Sequence, residues 1–109
     1  MLIDIEQLRF LFQELKRILE KENDKETLYI ISQSKLALLL IDECLKSSYD
    51  DIDLKQLLSK LKEIYTKINQ PRVGLSDYFI WRDNYEERIK VNSELDTIKQ
   101  SLILIIRKY

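Results

Sequence analysis

The one proline and one glycine of this chain, Pro71 and Gly74, fall in a single short stretch that also holds its one tryptophan, Trp81. Proline lacks the N–H that a helix interior needs, and glycine reaches φ > 0 at little steric cost, so this stretch is where the backbone is expected to leave helical geometry. Nothing on either side forbids helix.

The apolar spacing outside that stretch is helical. Ile5, Leu8, Phe12, Leu15 and Leu19 recur at steps of three and four, with Leu11 and Ile18 widening the stripe, which predicts a core-facing first helix. Asn23 and Asp24 break the pattern, and either side chain can accept from the free N–H groups of the next helix. The second segment, Lys25 to Ser47, is apolar nearly all round between Leu36 and Ile41, as expected of a helix buried on more than one side or shared with a second subunit. Ser47, Ser48, Asp50 and Asp51 supply the next break and cap, and Asp53 adds negative charge where the helix dipole favours it.

The third segment places Leu54, Leu57, Leu58, Leu61, Ile64, Tyr65 and Ile68 on one face, turns Lys55, Lys60, Lys62 and Lys67 away, and stops before Pro71. Asp83 and Glu86 resemble a capping box that opens a fourth helix, along which Val91, Leu95, Ile98, Leu102, Ile105 and Tyr109 keep step. Residues 76–82 are compatible with a short helix capped by Ser76 and Asp77 or with an ordered loop. The expected fold is all-α: an antiparallel four-helix bundle with an aromatic-rich loop or short helix between helices 3 and 4, forming a single domain over residues 1–109.

Composition removes several function classes. The chain has no histidine, which takes away the commonest general base, the usual zinc ligand and the His-dependent nucleophiles. No phosphate-binding glycine loop or paired cysteine is present, so a non-enzymatic protein without cofactor or metal is the expectation. Eighteen basic residues against nineteen acidic ones leave a net charge of −1, which gives nucleic acid no electrostatic footprint, and the four lysines of the third helix read as a solvated face. Cys44, beside Leu40, Ile41 and Leu45, reads as an apolar filler and has no disulfide partner. Asp50, Asp51 and Asp53 read as helix-start charge instead of a cation loop. The first residues carry acids where a signal peptide would be basic and then apolar, and the apolar runs are far shorter than the roughly 18 residues of a membrane span. A soluble, cytoplasmic protein is expected.

Tyr78, Phe79, Trp81 and Tyr85 concentrate aromatic surface around the break. They either close the open end of the bundle or present rigid anchors to a partner, because Trp, Tyr and Arg dominate interface hot spots. The candidate partner-binding residues are Arg72, Asp77, Tyr78, Trp81, Arg82, Asp83, Tyr85, Glu86 and Glu87. A rival expectation is a structural or regulatory homodimer joined through the apolar faces of helices 2 and 4.

Gly74-Leu75-Ser76-Asp77-Tyr78, followed by Asn92-Ser93-Glu94-Leu95-Asp96-Thr97-Ile98 and Leu102, resembles a pattern of small bacterial α-helical proteins associated with toxin immunity. The likeness covers about a third of the chain, with Val73 where that pattern has a further glycine. In size, charge and expected bundle the chain is also similar to the immunity proteins of class II bacteriocins. The resemblance implies a protein partner, a cognate toxin; were that toxin a basic nuclease, Asp77, Asp83, Glu86 and Glu87 would face it.

Overall fold

The computed structural model describes residues 1–70 and 74–109, so Pro71, Arg72 and Val73 lie outside the described residues. Four α-helices carry the fold: α1 (Leu2–Glu22), α2 (Leu28–Lys46), α3 (Asp51–Ile68) and α4 (Tyr85–Ile106). No strand occurs among the described residues.

The boundaries between α1 and α2 and the starts of α3 and α4 have local chemical causes. Asn23 ends α1 in the left-handed region at φ 49°, which a short amide side chain tolerates. Asp24 then accepts the N–H of Glu26 at 2.9 Å and opens a 3-10 turn, Lys25–Thr27, that feeds α2. The two residues of the break therefore divide the work, one stopping a helix and the other starting the next. Asp50 and Asp53 form a reciprocal capping box at α3: the Asp53 N–H donates to Asp50 Oδ1 at 2.9 Å, and the Asp50 N–H donates to Asp53 Oδ2 at 3.1 Å. At α4 the expected box is displaced by one residue. Asn84, not Asp83, is the cap and accepts the Glu87 N–H at 3.0 Å, because Asp83 is turned toward the Trp81 indole.

The helices pack through narrow stripes. The apolar face read for α3 is buried throughout, and each fully buried Leu or Ile adds roughly 1.5–3 kcal/mol before the entropy of ordering it. α1 packs against both α2 and α4, α3 packs against α2, and Leu8, Phe12 and Leu15 are fully buried. Within the bundle α2 is buried on one side, not on more than one. Its inward stripe is only Ile30, Ser34, Ala37 and Ile41, whose small members admit close backbone approach, while Leu28, Tyr29, Leu36 and Leu39 face outward because no helix covers that side. On α4 Leu95, Ile98, Leu102 and Ile105 are buried as expected; Val91 is half-buried, and Tyr109 follows the helix with its hydroxyl donating to Asp4. Arg9 to Asp42 at 2.7 Å ties α1 to α2, and Lys108 to Asp4 at 3.0 Å ties the α4 end to the start of α1.

Gly74 is required for space and not for its φ. At φ −110° it is ordinary extended backbone, but a Cβ there would stand 2.5 Å from the Ile68 carbonyl oxygen and 2.6 Å from the Gln70 backbone. Gly74 lies so close to the end of α3 that only a residue without a side chain fits there.

Candidate functional site

The connection from Gly74 to Asn84 begins with a 3-10 turn, Leu75–Asp77, and continues without regular structure. The short helix through Trp81 therefore does not form. Its side chains alternate instead: Leu75 and Ile80 enter the core, Ile80 being 1% exposed, whereas Phe79 and Trp81 on either side of Ile80 are 59% and 66% exposed. Burying Ile80 forces its two aromatic neighbours outward.

A buried amide fixes that register. Asn92 on α4 accepts the Ile80 N–H at 2.9 Å and donates to the Ile80 carbonyl at 2.7 Å, while the same amide nitrogen also donates to the Arg88 carbonyl at 2.8 Å. Both backbone groups of a buried residue are thereby satisfied by one side chain. Four further hydrogen bonds from three side chains hold the segment down. Lys99 donates to the Tyr78 carbonyl at 2.9 Å, the Tyr78 hydroxyl donates to Asp24 at 3.2 Å, and the Arg82 guanidinium forks onto both oxygens of Glu22. Burial, reinforced by the Asp24 carboxylate, pushes the Tyr78 phenol up to about 12.

Trp81 and Tyr85 are brought together at the outer surface by Arg88. Its guanidinium carbon lies 4.4 Å from the Trp81 ring centroid and 5.3 Å from that of Tyr85, and the indole N–H donates to Asp83 at 3.3 Å. Tyr85 is 65% exposed, and Phe79 and Ile89 extend the apolar surface along an open groove of about 610 Å³ that continues to Asp96.

The expected site residues thus separate into three directions. Trp81, Asp83 and Tyr85 share the platform. Arg82 and Glu87 line a side groove against α1, with Arg82 committed to Glu22. Asp77 and Tyr78 line a recess of about 490 Å³ beneath the α1–α2 turn, facing Asp24 and Glu26. Glu86 is exposed on the first turn of α4, and Arg72 lies outside the described residues. Two contributors were missed in the sequence. Arg88 follows Tyr85 by three residues, so helical spacing alone could have joined them. Asn92 gave only the signal of a polar residue at a core position of α4.

The remaining chemistry is sparse. Among the described residues no group of three or more His, Cys, Asp and Glu side chains is arranged to hold a metal ion. Cys44 is half-buried, and burial together with the Asp53 charge pushes its thiol up, away from the reactive thiolate. No helix among the described residues is long and apolar enough to cross a membrane. No protein-family model matches the chain, and neither a curated protein nor a solved structure is significantly similar to it.

Proposed function

We propose that this chain is a non-enzymatic protein-binding module whose contact surface is the platform of Trp81, Tyr85 and Arg88 with Phe79 and Ile89 at its margin. One observation carries the reading: large aromatic side chains point into solvent from a backbone that is pinned from below by Asn92. Displaying such surface exposes apolar area to water, and a rigid display reduces the ordering cost of association when a partner covers it. Hot spots are rich in these residue types.

In its most specific form the module neutralises a bacterial toxin, as the resemblance of its 74–78 and 92–102 segments to toxin-immunity proteins suggests. The acid Asp83 on the platform, with Glu86 on the first turn of α4, would then set which partners are admitted. Co-expression with the product of a neighbouring reading frame tests this. Rescue of growth and a complex lost in Trp81→Ala and Tyr85→Ala support it, and a complex indifferent to both variants rejects the platform.

A second reading is a homodimer through α2, favoured by the outward Leu28, Leu36 and Leu39, the last 53% exposed. Ile103 of α4 is partly buried against the core and offers less. Sedimentation of wild type and Leu39→Glu separates the two: a dimer that the charge dissolves favours α2, and an unchanged monomer favours the platform.

A further inference from the structure

We infer that Arg88 is the electrostatic anchor of the platform and that it receives a single carboxylate, an Asp or Glu side chain on the surface of a folded partner protein; this rests on the platform reading above. The guanidinium is half-buried and held by two rings, at 4.4 Å from Trp81 and 5.3 Å from Tyr85. Stacking removes much of the rotamer freedom that an exposed arginine would otherwise lose on binding. Among the described residues it forms neither an ion pair nor a side-chain hydrogen bond, whereas Arg9, Arg17 and Arg82 each have a carboxylate partner. The two rings cover its face, and among the described residues no side chain accepts from its N–H edge. A carboxylate is the group that matches that planar fork with two parallel hydrogen bonds.

The surroundings narrow the partner further. Asp83 and Asp96 border the same surface, and Glu86 and Glu87 sit on the adjoining helical turn, so a polyanion such as nucleic acid or an anionic membrane is repelled. One isolated acid in an otherwise neutral or basic surface is admitted. Phe79 and Ile89, exposed beside Arg88 along the open groove, ask for an apolar side chain next to that acid. The groove is open and shallow, which suits a protein surface better than a threaded chain terminus.

The test uses the full chain, immobilised, against a library of randomised surface loops on a small folded scaffold, with binders sorted by their dependence on Trp81. The expected binders carry Asp or Glu, and replacing that acid by its amide lowers affinity roughly tenfold or more. Arg88→Gln costs a similar factor, the two changes together cost little beyond either alone, and Arg88→Lys restores only part of the loss because it lacks the fork. Trp81-dependent binders that carry no acid, or that tolerate Arg88→Gln, overturn the anchor and leave the platform standing. Failure to recover any Trp81-dependent binder, or capture of a single-stranded oligonucleotide by the same surface, overturns both.

Discussion

Asn92 and Trp81 occupy opposite ends of the same display, and their substitutions should separate folding from recognition. Asn92→Ala strands the N–H and carbonyl of buried Ile80, and the cost expected is about 1–3 kcal/mol, read as a lower denaturation midpoint. Trp81→Ala removes a largely exposed ring, so it should shift stability by only about 0.5 kcal/mol in the same measurement. Gly74→Ala drives a methyl group into the Ile68 and Gln70 backbone, which cannot move aside as a flexible side chain would; destabilisation of about 1–3 kcal/mol is expected in thermal or urea melts. The residue types at these positions were plain in the sequence, but their tasks were not. Glycine suggested a positive φ and turned out to be needed for clearance, because Gly74 lies directly against the backbone at the end of α3. Arg82 and Arg88 looked alike by composition, and only the position of Glu22, sixty residues earlier in the chain, decides which of them is already engaged.

Among the elements, α3 was fully legible and α2 was not. A helix with one apolar face and lysines opposite has a single way to pack, so the seven residues assigned to the α3 stripe are the ones buried. α2 carries apolar residues on several faces, and periodicity cannot tell which of them meets a neighbour; the buried stripe runs through the small residues Ser34 and Ala37, which the apolar pattern alone does not single out. The starts of α3 and α4 were legible to within a residue, since Asp50, Asp53 and Asn84 all belong to the cap-forming types, yet adjacent Asp83 and Asn84 compete for the same task; α1 and α2, whose starts carry no side-chain cap, begin three residues from where the apolar pattern put them. The reciprocal box at α3 makes a direct prediction. Asp50→Ala should cost about 1 kcal/mol, and Asp50→Ser should restore most of it, in equilibrium unfolding. The connection to α4 was half legible: its aromatic content and its break from helix could be read, but the alternation that sends Ile80 in and Trp81 out depends on an amide twelve residues away.

At the scale of the whole molecule, the two ends of the chain meet through Asp4, which is buried between Lys108 and Tyr109. The Tyr109 hydrogen bond, with Lys108 adding to it, holds the Asp4 carboxyl below its ordinary 3.8, and the same bond pushes Tyr109 up to about 12. A carboxyl lowered on folding stabilises the fold above its ordinary pKa, and that contribution is lost as pH falls through the lowered value. A phenol raised on folding contributes below its ordinary 10.0, and that contribution is lost as pH rises through about 12. Tyr109→Phe should therefore flatten both the acid and the alkaline limb of the stability profile. In an ultraviolet titration of the six tyrosines, Tyr78→Phe and Tyr109→Phe should each remove one late-ionising phenol. Tyr109 sits at the opposite end of α4 from the platform, so binding near neutral pH should persist in Tyr109→Phe.

The proposed platform depends on an outward-facing indole, and the chain contains only one tryptophan to report on it. Collisional quenching of the intrinsic fluorescence by acrylamide, in native buffer and in urea, measures that exposure directly. The expected result is a native-state quenching slope close to that of the unfolded chain, with red emission in both states. A blue-shifted native emission that acrylamide barely reaches would mean that Trp81 is enclosed by its own bundle, and the binding platform would not exist.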